Sequence, residues 1–245
     1  MARLRHSPRV ATASDAPTAR DGALATPLAG AAASTSGAEI VVRRGAVYEV
    51  VKRLFDIVFA AVALVLLAPV FLALALVVKL SDGGPVWYRR EVVGWHGRRF
   101  YARKFRTMLP HADEYLAAHP ELLARYAAQI KLREDPRTTR VGRVLRRTSL
   151  DELPQLWHVL RGEMSLVGPR MIHPSEVARY GAFALARQSV RPGITGLWQV
   201  SGRQAVSYAR RVELDEEYMR RRSLWLDLRI LLKTVVVVLS GRGAY

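Results

Sequence analysis

From residue 57 to residue 78 the chain carries apolar side chains and no charge. A run of about twenty such residues is long enough for a membrane helix. Lys52 and Arg53 stand before it, Lys79 closes it, and Arg89 and Arg90 follow. Basic residues on both sides favour a segment whose two ends stay on the cytosolic face. Pro69 lies near the middle. It has no amide hydrogen to donate, and its ring collides with the carbonyl of Val65, so the helix is predicted to break there. The expected element enters one leaflet and returns. A spanning helix with a proline kink fits the same residues, since membranes accommodate such kinks. Asp56 stands at the mouth of the run, where a carboxylate needs a partner or water. Arg53, three residues earlier on the same helical face, is the expected partner. A solvated acid outside the lipid is the other reading.

Beyond this run the periodicity shortens. Asp82-Gly83-Gly84-Pro85 is a turn cluster, Val86-Trp87-Tyr88 is strand-like, and Gly94 to Gly97 reads as a hairpin loop. From Arg98 to Arg106 basic and aromatic residues alternate. That pattern suits single-stranded nucleic acid or a strand at a membrane surface. Beside a membrane segment the second is preferred, and no nucleic acid partner is expected. Helical spacing of apolar residues over 111–131 is interrupted by Pro120, which predicts two short helices. A further helix-like segment covers 174–188. The stretch 224–239 is apolar but holds Asp227, Arg229 and Lys233, so it reads as an interfacial helix or as a core helix.

The candidate chemistry sits between Arg146 and Arg170. Asp151 and Glu152 are adjacent acids in a basic chain, preceded by Arg146 and Arg147 and followed by Arg170 in a Gly-Pro-Arg turn. Paired carboxylates suit a hard divalent cation, and guanidinium groups suit phosphate oxygens. A helix start explains the same residues, with Ser149 as N-cap and Pro154 in the first turn. The two readings are compatible, because a helix N-terminus is itself a phosphate site. A second loop, 191–203, holds Gly193, Gly196 and Gly202 with Trp198, Gln199 and Arg203, a set that fits a nucleotide or a structural connector. It is neither a P-loop nor a dinucleotide fingerprint.

The formal net charge of the 245 residues is +17, which implies an anionic partner. There is no Cys, hence no disulfide framework, thiol nucleophile or thiolate metal site. The histidines match no zinc-ligand spacing. Residues 1–45 read as a disordered leader rich in Ala, Ser, Thr, Pro and Gly, without the apolar core of a signal peptide.

In combination these motifs resemble the bacterial sugar transferase family, the monotopic phosphoglycosyl transferases. The resemblance runs from about Lys52 to the C-terminus. It rests on Lys52-Arg53-Leu54-Phe55-Asp56 before the apolar run; Gly84-Pro85-Val86; Lys104-Phe105-Arg106-Thr107-Met108; Arg146 through Gln155; Ser165 through Arg170; and Pro192-Gly193-Ile194-Thr195-Gly196 with Trp198 through Arg203. Where some members have Ser before the central proline this chain has Ala68, and Met171 stands where many have a second proline after Arg170. Larger members carry extra spanning helices in front, and the polar leader is expected to supply none.

The resemblance implies transfer of a sugar 1-phosphate from a UDP-sugar to polyprenyl phosphate with release of UMP, using Mg2+ and a covalent phosphosugar enzyme. It implies Asp151 as nucleophile and Glu152 beside it, both on the metal. Arg146, Arg170 and Lys104 would take phosphate, and Gln199 and Arg203 the nucleotide. The expected fold is mostly α with a small β component. A re-entrant membrane helix over 46–80 precedes a cytosolic α/β catalytic domain over 81–245 with interfacial amphipathic helices. The expected place is the cytosolic face of the bacterial inner membrane, in contact with its lipid, with room for a homo-oligomer. A non-catalytic adaptor that binds anionic lipid or an assembly partner is the competing class.

Overall fold

A computed structural model describes residues 45–129 and 135–241; the leader read over 1–45 lies outside them apart from Gly45. The apolar run folds as two helices, α1 (Ala46–Leu66) and α2 (Ala68–Asp82), which meet at Leu67 and are bent by 62°. Pro69 occupies the first turn of α2. There its missing N–H is one that no helical carbonyl would have received, so the break expected from Pro69 falls at this junction. Among the described residues no single helix is long and apolar enough to cross a membrane. One side of α1 packs inward through Ala60, Ala63 and Leu64, while Val62, Val65 and Leu66 stay exposed, as do Leu72, Leu76 and Leu80 on α2.

After the Gly83 turn, β1 (Trp87–Val93) pairs antiparallel with β2 (Arg99–Phe105), with Trp87 opposite Phe105 and Arg89 opposite Arg103. Short helices α3 (Ala112–Ala117) and α4 (Pro120–Gln129) follow, divided ahead of Pro120 as the sequence predicts. Helix α5 (Arg140–Thr148) is capped by the Thr139 hydroxyl, which accepts from the Gly142 amide at 2.8 Å. It packs its Leu145 against Val78 of α2 and Phe105 of β2. A 3-10 turn (Leu150–Glu152) then leads into α6 (Gln155–Leu160).

The second sheet is small and parallel, β3 (Ser165–Val167) beside β4 (Gly193–Thr195). Gly168 and Gly193 touch backbone to backbone, and a Cβ at Gly193 would lie 2.1 Å from the Gly168 nitrogen. Only glycine allows this approach, and it fixes the strand that leads to Arg170. Between the strands the segment read as one helix over 174–188 divides into a 3-10 turn (Pro174–Tyr180) and α7 (Phe183–Gln188), separated at Gly181 with φ 51°. Helices α8 (Leu197–Val200), α9 (Tyr208–Arg221) and α10 (Leu224–Ser240) complete the chain. Helix α10 has two faces: Ile230 is buried in the core, as the core-helix reading of 224–239 expects, whereas Trp225, Leu232, Val235, Val236 and Leu239 are exposed. The main core joins α1, α6, β3, α7, α9 and α10 through residues such as Ala60, Val159, Leu166, Phe183, Tyr218 and Ile230.

Candidate active site

Ser149 does not cap the acid turn. It ends α5 in the left-handed conformation, φ 58°, and its hydroxyl accepts from the Arg203 guanidinium at 3.0 Å. Nine residues of α5 need a C-terminal stop, and a polar residue in the left-handed region supplies one. The reversal at Ser149 turns Asp151 and Glu152 back toward β2. Pro154 then stands at the N-cap of α6.

Both acids meet cations that are remote in sequence. Glu152 receives two hydrogen bonds from the Arg170 fork, one of them at 3.1 Å, and a further short one from Lys104 of β2. Burial alone would raise its pKa, but the charges and hydrogen bonds of Arg170 and Lys104 outweigh burial and hold it well below the carboxylate range. Asp151 differs. Its Oδ2 lies 4.0 Å from the Lys104 ammonium, and it accepts no hydrogen bond among the described residues. Burial raises its pKa, Glu152 adds to the rise, and Lys104, Arg170 and Arg146 oppose it. Arg146 is held by two threonines instead of an acid, donating to the Thr107 hydroxyl at 2.9 Å and to Thr138 at 3.3 Å. Burial lowers its pKa, with Asp151 and Asp135 pulling the other way. The result is one carboxylate saturated by cations beside another with free lone pairs, ringed by Lys104, Arg146 and Arg170. Such an arrangement can bring a phosphorus to an oxygen nucleophile while its charge is neutralised.

The donor set suits a hard cation held by few protein groups. Among the described residues no three His, Asp or Glu side chains gather into a ligand cluster. Mg2+ commonly takes one or two carboxylates and completes its shell with substrate phosphates and water. Asp151 fits that role. Glu152 as placed fits it poorly, since both its oxygens are engaged by Lys104 and Arg170.

The remaining candidates separate. Arg203 joins the site: besides Ser149 its field reaches Glu152 and Arg170, and one buried nitrogen has no partner. Gln199 turns inward and donates one amide hydrogen to the Ile194 carbonyl at 3.0 Å, while its buried Oε1 has no hydrogen-bond partner. Arg53 and Asp56 do not pair. Arg53 donates to the Val159 and Leu160 carbonyls at 2.6 and 2.9 Å, in the last turn of α6, where the helix dipole is negative. Asp56, 2% exposed, accepts from the Leu166 amide at 3.1 Å. Both residues fasten α1 to the rest of the fold.

Residues 47–241 match the family model described as bacterial sugar transferase. The chain belongs to the bacterial sugar transferase family. It is similar to the exopolysaccharide production protein ExoY of Rhizobium meliloti, with 48% identity over 198 residues that cover 79% of this chain and 88% of the relative. It is also similar to the undecaprenyl-phosphate galactose phosphotransferase of Salmonella typhimurium, at 46% identity over 79% of this chain and 41% of the relative. The UDP-glucose:undecaprenyl-phosphate glucose-1-phosphate transferase of Xanthomonas campestris pv. campestris is 41% identical, over 81% of this chain and 40% of the relative. The chain thus spans most of the ExoY relative and about two-fifths of the other two.

This sugar transferase holds Arg170 with two residues that sequence reasoning passed over. Arg187 of α7 donates to the Arg170 carbonyl, and its guanidinium lies 3.7 Å from the buried Asp215 of α9, which also accepts from the Tyr180 hydroxyl at 3.1 Å. The available signal was one charge on the apolar stripe that includes Tyr218 and Met219. Burial pushes Asp215 up from 3.8 to about 6, against Arg187 and Tyr180. A carboxyl with a higher pKa in the folded state contributes stability below its unfolded value that is lost as pH rises toward about 6. The charged form is therefore kept at some cost to stability, on the order of 2–3 kcal/mol. Asp215→Asn is expected to match the parent near pH 4 and to melt at a higher temperature at pH 8. Thermal unfolding at the two pH values checks this; a variant less stable than the parent at pH 8 contradicts it.

Proposed function

We propose that this transferase moves a sugar 1-phosphate from a UDP-sugar to undecaprenyl phosphate or a related polyprenyl phosphate and releases UMP. The observation that carries the reading is Asp151, a buried carboxylate with unbonded oxygens set among Lys104, Arg146 and Arg170. The names of the Salmonella and Xanthomonas relatives support the acceptor, and the Xanthomonas name supports the donor.

In the proposed reaction an Asp151 oxygen attacks the β-phosphorus of the donor. The bond from that phosphorus to the oxygen bridging the two phosphates breaks, and UMP leaves with the electron pair. Arg146 and Arg170 bear the phosphate charge, and Lys104 holds Glu152 and faces Asp151. The mixed anhydride on Asp151 is then attacked by an oxygen of the acceptor phosphate, which regenerates the carboxylate. Two half-reactions let the nucleotide depart before the lipid phosphate arrives. Asp151 would help to hold Mg2+, which would supply neutralisation of charge on the donor diphosphate. The bent α1–α2 pair and the exposed face of α10 support a protein that dips into one leaflet of the bacterial inner membrane from the cytosolic side.

The test is purified full-length protein in detergent with Mg2+, polyprenyl phosphate and a panel of labelled UDP-sugars. UMP release with at least one donor, dependent on the acceptor for turnover, is expected. No UMP with any donor overturns the reading.

A further inference from the structure

A cleft of about 170 Å³ opens at the crook of the bent helices, lined by Leu64, Phe71, Trp87, Arg103, Pro154 and Trp157. Four of the six are large and apolar, and both indoles are strongly exposed, Trp87 at 44% and Trp157 at 47%. Trp87 is braced by stacking on Phe105 at 4.9 Å, so the wall it forms is rigid. The exposure of two tryptophans on a cleft wall is costly unless something apolar covers them.

The cleft has one charge, and that charge lacks a counter-ion. Arg103 is exposed and makes no ion pair among the described residues. Directly across the hairpin stands Arg89, likewise exposed and without an ion pair. Like charges on facing strand positions are destabilising, and an anion between or beside them removes the penalty. The cleft wall adjoins the turn that carries the acids, since Pro154 follows Asp151 by three residues. Arg103 and Lys104 are neighbours on β2 and so point to opposite faces of the strand; the Arg103 amide donates to His158 of α6 at 3.2 Å, which holds strand and helix side by side.

An apolar slot between the two bent helices, with an uncompensated cation and with Pro154 of its wall three residues from Asp151, matches a ligand with one phosphate followed directly by a hydrocarbon chain. We propose that this cleft seats the first isoprenoid units of the acceptor lipid, with its phosphate passing Arg103 on the way to Asp151. The assignment rests on the transferase reading above and adds the residues that select the acceptor. A diacyl phospholipid fits less well, because its phosphate is separated from its chains by a branched glycerol.

The experiment uses the full chain in nanodiscs. A polyprenyl phosphate with a photoreactive diazirine in its first isoprene unit is crosslinked and the labelled peptides are mapped. Label on the peptides that contain Trp157 and Leu64 or Phe71, displaced by excess unlabelled polyprenyl phosphate but not by phosphatidylglycerol, is expected. In parallel, Trp157→Ala and Arg103→Gln are expected to raise KM for polyprenyl phosphate about tenfold or more, as loss of an indole contact or a phosphate cation warrants. KM for the UDP-sugar should stay within about twofold. If the parent turns over while the label falls elsewhere, or phosphatidylglycerol displaces it equally, the cleft is bathed in bulk lipid and the assignment is wrong. If the parent releases no UMP at all, the transferase reading fails instead.

Discussion

Asp151→Asn is expected to lose turnover by a factor on the order of 10⁴ or more, because an amide oxygen is a poor nucleophile at phosphorus and no other group replaces it. The substitution keeps the shape of the side chain and breaks no hydrogen bond, since Asp151 accepts none among the described residues. The variant should therefore fold and still bind donor. Two measurements separate nucleophile from electrostatic support. Incubated with labelled UDP-sugar alone, the parent should gain the mass of a phosphosugar on the peptide containing residue 151, and the variant should gain none. The parent's rate should also rise with pH through an apparent pKa above the ordinary carboxylate value of 3.8, because burial and Glu152 raise that of Asp151 and only the ionised form attacks. Turnover near the parent rate in the variant, or an adduct on a different residue, removes Asp151 from the proposed role.

What could be read from the chain depended on whether a residue's role was local or settled by distant neighbours. The acid pair and Arg146 were legible because they lie within a few residues of one another. The break at Pro69 was legible because the obstacle is the proline ring itself. Arg53 and Asp56 failed as a pair although three residues of helix separate them. Backbone groups of α6 and β3 offered each a buried partner that helical spacing does not reveal. Ser149 holds the N-cap position of the 3-10 turn but makes no capping bond from its side chain, because it also ends α5 in the left-handed conformation. For Gln199 the sequence did not show that one amide hydrogen goes to the Ile194 carbonyl while the buried Oε1 has no partner. The grip of Arg187 on the Arg170 backbone was invisible, since it joins α7 to the end of a strand path through a main-chain carbonyl that carries no sequence signature.

Glu152→Gln should destabilise the protein by roughly 3–5 kcal/mol at neutral pH, the usual cost of removing one partner from a buried ion pair. The side chains concerned are well shielded: Glu152 is 16% exposed, Lys104 18% and Arg170 21%. Without the carboxylate, two cations face each other across a neutral amide that can accept through only one oxygen. The pH dependence has the opposite sign to that of Asp215. The pKa of Glu152 is lowered in the folded state from 4.5, so its contribution is complete above that value and is lost as pH falls through the folded value. The gap in stability between parent and variant should be widest near pH 7 and close only in strong acid. Turnover should fall with it, by about 10²- to 10³-fold, because Arg170 and Lys104 lose the anchor that aims them at phosphate. Denaturant titration at pH 7 and pH 3, with turnover measured alongside, distinguishes an anchor from a metal ligand. An anchor predicts a loss of stability in protein stripped of divalent cations with chelator; a pure metal ligand predicts none there, and that result would remove Glu152 from the role argued for it.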